Sequence, residues 1–294
     1  MRLTLYSFTL WLIALCLSCF AANLDARNKQ RIVVQANATA EYEQRRAELA
    51  DIPETYVISQ GKYFAGGARD GSVSEQSFGN VVENLAKDLA ERNYCPADGM
   101  ESADLLIVVH WGTTIVQDDP EQDDLIRESY SLNPEADDYD DSEVRFAQMM
   151  DDTNRMSRAA QIRRNARLLG YSEALADEES KLVPTEKERT LKAQLDRDRY
   201  FVVLMAWDNR ALLESKERKL LWSTRMSVQS VGTNFRESLP LLSIAAGEFF
   251  GRESDGLSTR VVKRGDYKVR MGELEVVEMT EEDRRLLESE SEEE

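Results

Sequence analysis

The sequence predicts an α+β protein in which an open, mostly antiparallel sheet carries two amphipathic helices on one face. Residues 103–114 and 199–208 are apolar on both sides of an extended chain, as expected of strands in the centre of a sheet. Two helical segments, 72–94 and 235–251, each carry one apolar stripe. One face of the sheet would bury both stripes, so the expected architecture is a two-layer sandwich with a helical insertion.

Local signals place the first elements. A strand is expected at residues 54–64, which are rich in β-branched and aromatic side chains. In the helix that follows, Ser72 and Glu75 have the spacing of a capping box. These signals predict that this helix begins next to Ser72.

Residues 118–198 form the predicted insertion, which has an acidic run followed by helical segments. Within it, Thr185 and Glu188 form a second capping box at the start of a helix. We expect these helices to lie across the sheet or to project from it.

The strand at 219–231 has the clearest alternation of apolar and polar residues. Trp222 and Met226 lie on the side expected to face the core. Arg225 lies in the opposite row, which a two-layer sandwich leaves in solvent. A last strand or hairpin is expected at 266–279.

The beginning of the chain has the pattern of an export signal. Met1 and Arg2 form a positive end, an apolar stretch runs to Leu17, and small residues follow at cleavage-site distance. The apolar stretch is shorter than the ~20 residues that a membrane-spanning helix needs. We therefore expect an exported protein of the periplasm, or one held at the outer membrane by a lipid.

Cys19 is the candidate residue for lipid attachment. The bacterial lipoprotein signal is matched only in part, because Cys16 and Leu17 occupy its first two places. Ordinary cleavage after Ala21 fits the small residues equally well, so both outcomes stay open. Membrane contact is expected only through such an anchor. Since Cys95 is the remaining cysteine, a disulfide framework is excluded and stability depends on a hydrophobic core.

The predicted organisation follows from these patterns. Residues 1–21 are a signal peptide, and residues 22–53 are a polar tether with a short helix over 40–50. Residues 54–280 are a single α+β domain, interrupted by the acidic and helical insertion at 118–198, and residues 281–294 are an acidic tail.

The formal net charge of -18 resides in two segments. Residues 118–143 contain twelve acidic residues and one arginine, and residues 278–294 contain nine acidic residues and two arginines. This distribution argues against a nucleic-acid partner, because phosphate binding needs concentrated Lys and Arg. Two interpretations of the acidic runs stay open: solvated segments, or a site for a basic or divalent-cation partner.

Few residues suggest catalysis. His110 is the only histidine, so a zinc site with two or more imidazoles is excluded. The sequence lacks a nucleophile elbow, a P-loop and a dinucleotide-binding glycine motif. We expect His110 to be a half-buried, hydrogen-bonded strand residue; a thiolate pair with Cys95 is the catalytic alternative. No catalytic, cofactor-binding or metal-binding residue is assigned.

Gly66, Gly67 and Gly71 precede the first long helix. Such glycines are typical of a flexible turn between a strand and a helix. Backbone amides at a helix N-terminus can also hold an anion, which is the second interpretation of this segment.

The export signal is combined with "ADLLIVVHWG", with "YFVVLMAWD" leading to "KLLWSTRMSV", and with "NFRESLPLLSIAAGEFFG". This combination resembles a group of uncharacterised bacterial envelope proteins, often lipoproteins, that carry a small α/β domain of unknown function. In that group a strand ending in Asp, a turn and a strand with Trp precede a helix closing on an aromatic residue and glycine. Asp208, Trp222, Phe250 and Gly251 occupy those places. The resemblance implies an envelope location and a similar sandwich, with no catalytic residue.

These observations favour a non-enzymatic assembly or interaction module whose partner is another envelope protein. The helical part of the insertion is the expected contact surface, because residues 149–171 combine methionines and arginines. Two further hypotheses stay open. One is an envelope hydrolase whose carboxylates meet only in the fold. The other is divalent-cation binding by the acidic insertion.

Overall fold

The structure is a computed structural model that describes residues 29–48, 52–65, 71–114 and 156–263. Its strands are Lys29–Ala38 (β1), Glu54–Phe64 (β2), Tyr94–Pro96 (β3), Leu105–Thr113 (β4), Arg199–Asp208 (β5), Leu220–Gln229 (β6) and Ser258–Lys263 (β7). They form one open sheet in the order β3-β2-β4-β5-β6-β1-β7.

Helices connect and cover these strands. They are Ala40–Glu48 (α1), Phe78–Ala90 (α2), a helix described over 156–169 (α3), Ser172–Glu179 (α4), Glu186–Leu195 (α5), Asn209–Ser215 (α6) and Phe235–Gly247 (α7). A 3-10 turn at Met100–Ser102 precedes β4.

The sheet is mixed. β2 is parallel to both β3 and β4, with α2 in the crossover that parallel strands require. β4, β5, β6, β1 and β7 pair in an antiparallel manner along the sheet order. The predicted α+β class and the open sheet are therefore confirmed.

The two predicted amphipathic helices share one side of the sheet, which we call the first face. Leu85 and Leu89 of α2 join Leu239 and Leu242 of α7 in one buried cluster. Alternate residues of the central strands complete this cluster: Leu105, Ile107, Val109, Trp111, Tyr200, Val202, Leu204 and Ala206. Each fully buried large apolar side chain contributes about 1.5–3 kcal/mol relative to exposure, so this cluster is the main source of stability.

The opposite side of the sheet, the second face, also carries helices. Phe201 and Val203 of β5 pack with Leu169 of α3, Leu175 of α4 and Leu195 of α5. In place of the predicted two layers, the sheet is thus covered by helices on both faces. The physical reason is that β5 is apolar on both faces, so its second face needs a cover of its own.

The predicted solvent-facing row of β6 is mostly covered. Ser223 and Ser227 are buried and Arg225 is half-buried. The end of α3 lies over this region, since a Cβ atom at Gly170 would be 2.4 Å from Oε1 of Gln35, the residue opposite Arg225. The predicted alternation along β6 is correct, but the second face is not left in solvent.

The prediction of a polar tether at 22–53 is wrong for residues 29–48. β1 lies between β6 and β7 in the sheet, and Ile32 and Val34 belong to the core of the first face. The short helix predicted over 40–50 is present as α1. The apolar part of β1 is short, with Lys29 and Arg31 before it and Gln35 and Asn37 after it, so composition alone made it resemble a tether.

A buried polar cluster fixes α1 to the sheet. Tyr42 Oη donates to Glu54 Oε2 at 2.6 Å and lies 2.9 Å from Tyr94 Oη, while Arg45 Nη2 binds Glu54 Oε1 at 2.6 Å. Burial raises the pKa of Tyr94 to about 12, and burial, Tyr94 and Glu54 raise the pKa of Tyr42 still further. Both phenols therefore stay protonated and can donate hydrogen bonds.

The long helix does not begin at the capping box predicted from Ser72 and Glu75. α2 begins several residues later, where Ser77 Oγ accepts the N–H of Asn80 at 3.3 Å. Ser72 Oγ instead accepts the N–H of Phe235, the first residue of α7, at 2.9 Å. The segment before α2 thus joins the N-terminal ends of the two helices on the first face.

A buried polar contact joins α2 to α7. The Ser243 hydroxyl donates to the Asp88 carboxylate, and Arg92 Nε donates to the carbonyl of Gly247 at 2.9 Å. Asp88 is 7% exposed, and burial raises the pKa of its carboxyl above the usual range, against the hydrogen bond from Ser243. This carboxyl is therefore more easily protonated in the folded chain than in the unfolded chain.

Asp88→Asn is expected to remove one pH-dependent contribution to stability. A carboxyl whose folded-state pKa is raised stabilises the fold fully below the unfolded pKa, and this contribution is lost as pH rises through the folded pKa. Urea unfolding should show Asp88→Asn gaining stability relative to wild type as pH rises from about 4 to about 7. The exposed control Asp177→Asn should follow wild type. If the free energies of unfolding of wild type and Asp88→Asn differed by the same amount at every pH, this assignment would be contradicted.

Several predictions fall outside the described residues: the signal peptide at 1–21 with Cys19, the acidic run at 118–143, the strand at 266–279 and the tail at 281–294. Within the described ranges, none of the helices combines the length and apolar character that a membrane crossing requires.

Candidate functional site

His110 lies near the end of β4 on the second face, as predicted. Its imidazole is half-buried, and Nδ1 accepts the backbone N–H of Lys62 at 2.8 Å. A Cβ atom at Gly61 would lie 2.6 Å from the ring, so the imidazole packs directly on this glycine. Burial, with Lys62 nearby, lowers the pKa of His110 and favours the neutral ring that accepts this bond. The histidine is a hydrogen-bonded strand residue.

Cys95 and His110 are far apart. Cys95 is exposed in β3, opposite Thr55 at the start of β2, and Tyr56 is opposite Leu105 at the start of β4. Because a strand rises about 3.3 Å per residue, roughly 20 Å separates the thiol from the imidazole along the strands. The structure therefore does not bring the thiolate pair together.

The glycine segment is separate from the start of α2. Gly66 and Gly67 lie outside the described residues, and Gly71 lies in a turn that precedes α2 by several residues. The amide of Asn80 in the first turn of α2 is already bound by Ser77. At Gly71 the structure favours the turn interpretation.

Two buried carboxylates of the first face each have partners of their own. Glu54 binds Tyr42 and Arg45, and Asp88 binds Ser243. In the part of the chain that the structure describes, no three His, Cys, Asp or Glu side chains are grouped closely enough to hold a metal ion.

The helical segment at 156–195 is firmly attached to the second face. Asn165 Nδ2 donates to the carbonyl of Leu195 at 3.0 Å, which ties α3 to α5. Arg199 lies beneath these helices, where its Nε donates to Ser227 Oγ at 3.2 Å and its guanidinium lies 5.9 Å from the ring centre of Tyr171. In the segment 149–171 that the sequence suggested for partner contact, Ala166 and Leu169 thus belong to the core of the second face, whereas Met156 is 75% exposed.

The turn at 180–185, between α4 and α5, is held by one buried carboxylate. Glu178 accepts from Lys181 at 2.7 Å, from Lys187 at 3.1 Å and from Thr185 Oγ1 at 2.6 Å. The hydrogen bond from Lys181, followed by those from Thr185 and Lys187, lowers the pKa of Glu178 to about 2. Glu178 therefore stays charged over the whole physiological range.

Thr185 has a second role in this turn. Its Oγ1 accepts the N–H of Glu188 at 3.0 Å, so the capping bond predicted from Thr185 is confirmed. Through one hydroxyl, Thr185 connects the start of α5 to the carboxylate of α4.

The same turn presents two apolar side chains to solvent. Leu182 is 103% exposed and Val183 is 72% exposed. They are adjacent, and Lys181 before them and Thr185 two residues after them are tied to Glu178. We call residues 180–185 the exposed turn. The sequence shows an apolar pair here, but helical periodicity gave no reason to separate it from the core residues of the insertion.

Comparisons with known proteins assign no family. No family model matches the chain, and no curated protein matches it. One solved structure with some similarity is a PDZ domain protein from Parabacteroides distasonis, with 10% sequence identity and a TM-score of 0.37. The match covers 80% of this chain and 40% of that protein, so this chain spans less than half of its length.

Proposed function

We propose that this protein is exported to the bacterial cell envelope and acts there as a non-enzymatic interaction module. Its contact with a partner protein is made through the exposed turn at 180–185. The observation that carries this proposal is an adjacent apolar pair, Leu182 and Val183, held in solvent by the Glu178 network.

Energetics favour a partner with an apolar pocket. Burying a Leu or Val side chain contributes about 1.5–3 kcal/mol relative to leaving it exposed. Because Lys181, Thr185 and Lys187 already fix the turn, little conformational entropy remains to be lost on binding. A preorganised apolar projection of this kind suits insertion into a partner protein.

The export part of the proposal has two supports in the sequence. Residues 1–21 have the charge and hydropathy pattern of a signal peptide. The chain also resembles envelope proteins in the segments around Asp208, Trp222 and Gly251. Cys19 is the candidate lipid attachment residue. The anchor is tested by comparing how wild type and Cys19→Ser divide between the membrane and soluble fractions of cells.

The double variant Leu182→Ser, Val183→Ser is expected to lose partner binding by about tenfold or more, because two apolar side chains no longer enter the pocket. The measurement is in-cell photo-crosslinking of the full-length protein, with the crosslinker at an unmodified neighbouring position of the turn. Val231→Ser is the matched control, since Val231 is 74% exposed in a different loop.

Both variants change only exposed residues, so both should unfold at the wild-type temperature. A discrete crosslinked product that persists in the Val231→Ser protein and disappears in the double variant supports the proposal. Equal yields from the double variant and the control would overturn it.

A further inference from the structure

We infer that the second face carries a carboxylate-binding site centred on Arg225, separate from the exposed turn. Four polar residues form a block on adjacent strands, with Gln35 of β1 opposite Arg225 of β6 and Asn37 opposite Ser223. Arg225 Nη1 donates to Gln35 Oε1 at 3.1 Å and to Ser223 Oγ at 3.0 Å. Gln35 Nε2 in turn donates to Asn37 Oδ1 at 2.5 Å.

This block has a positive charge and no compensating negative charge within the described ranges. Arg45, Arg158, Arg210 and Arg260 each form an ion pair with a carboxylate. Half-buried Arg225 makes its hydrogen bonds to neutral groups instead. Burying a charge without a counter-charge is costly, so an anion at Arg225 would be stabilised.

The donors of this block suit a carboxylate. In the described part of the chain, Nε and Nη2 of Arg225 make no hydrogen bond, and these two atoms form the fork that binds two carboxylate oxygens. Gln35 and Ser223 bind the guanidinium at Nη1 and so hold it in place with the fork uncommitted. With one cation and neutral neighbours, the block compensates a single negative charge, which fits a carboxylate better than a phosphate of charge about -1.5 to -2.

Apolar side chains lie next to the block. Met205 of β5 is opposite Ser223, and Val108 of β4 is opposite Met205; both are half-buried. In the next row, His110 lies two strands from Arg225, about 10 Å away at the usual strand spacing. The expected ligand is therefore a carboxylate on a short apolar chain, with the chain lying along Met205 and Val108.

The position of Gln35 is fixed from above by the helical segment. Gly170 has a φ of +80°, and a Cβ atom there would lie 2.4 Å from Gln35 Oε1. The backbone after α3 thus packs closely against the Gln35 carboxamide that orients Arg225. This contact places the carboxylate site beneath the end of α3, whereas the exposed turn lies at the far end of α4.

The test is a titration of the full-length protein with sodium acetate, butyrate and phosphate at constant ionic strength, followed by the NMR signals of the arginine Nε–H groups. Acetate should saturate the Arg225 signal with a Kd of about 1–10 mM. Butyrate should bind more tightly, by up to about fourfold per added CH2 group. No saturation by about 100 mM acetate, or tighter binding of phosphate, would overturn the inference.

Substitutions identify the donor. Arg225→Gln should weaken acetate binding at least tenfold, and Arg225→Lys should weaken it less while the charge is retained. Asn37→Ala removes the acceptor of the Gln35 carboxamide that orients Arg225, so it should weaken acetate binding a few-fold, and it keeps the test valid if Arg225→Gln unfolds. The matched control is Arg236→Gln, at an exposed arginine of α7. Wild-type acetate binding by both Arg225→Gln and Asn37→Ala would contradict the assignment.

One further variant distinguishes two sources of the carboxylate. The twelve acidic residues of 118–143 are changed to Asn and Gln in the full-length chain. An unchanged acetate Kd supports a site for an external carboxylate. Tighter acetate binding supports the same site and identifies the acidic run as its competitor.

Discussion

Gly112→Ala is expected to destabilise the fold by about 3–5 kcal/mol, the sum of backbone strain and overpacking. Gly112 lies in β4 with a φ of +145°, a conformation that L residues rarely adopt. A Cβ atom there would lie 2.0 Å from the carbonyl oxygen of Phe64 in the neighbouring parallel strand. Because the obstacle is backbone, no side-chain rotation can relieve the contact.

Gly232→Ala is the matched control for this substitution. Gly232 also has a positive φ, +79°, but nothing lies within 4 Å of the position that its Cβ would take. Its substitution should cost about 1 kcal/mol for the backbone conformation alone. Urea unfolding gives the free energy of unfolding of both variants. The difference between their losses is the cost of the steric contact between β4 and β2 at Gly112. Equal losses of stability at both glycines would show that β4 and β2 move apart at Gly112 and relieve the contact.

The central strands could be predicted because their signal is local. β4 and β5 are long and apolar on both faces, and β6 alternates over its whole length. β1 could not be predicted in the same way. Its apolar residues are few, and its partners β6 and β7 lie near the other end of the chain, with Ile32 opposite Val228. Pairing over such a sequence separation leaves no pattern within a local window.

The candidate sites depend on the same long-range information. The Arg225 block exists only because β1 and β6 pair with Gln35 opposite Arg225, a register that neither strand specifies alone. The sequence shows Leu182 and Val183 as apolar, but their exposure depends on how α4 and α5 lie on the sheet. His110 was predicted correctly because strand alternation is enough to assign its face.

The two-layer prediction failed for a related reason. An amphipathic stripe shows that a helix covers something, but it does not show which surface it covers. Leu169, Leu175 and Leu195 of the insertion form their cluster with Phe201 of the sheet. The doubly apolar sequence of β5 had already indicated that both faces of this strand are buried. Combining these two signals would have predicted helices on both faces.

Leu195→Ala is expected to cost about 2–5 kcal/mol, the usual loss for truncating a fully buried leucine. Leu195 is 0% exposed at the end of α5 and packs in the cluster of the second face. Its backbone carbonyl also accepts the hydrogen bond from Asn165, so movement of α5 to fill the cavity would weaken the tie to α3. This substitution therefore measures how strongly the helical segment belongs to the folded core.

Leu182→Ala is the matched control for Leu195→Ala, because it makes the same leucine-to-alanine change within residues 156–195. Because Leu182 is 103% exposed, its truncation should alter the free energy of unfolding by no more than about 0.5 kcal/mol. If the segment projected from the sheet, both leucines would give similarly small effects in urea unfolding. A large loss only at Leu195 means that deleting residues 118–198 would uncover Phe201 and Val203 and unfold the sheet. Partner contacts of the exposed turn must then be probed by point substitutions, which leave that core intact.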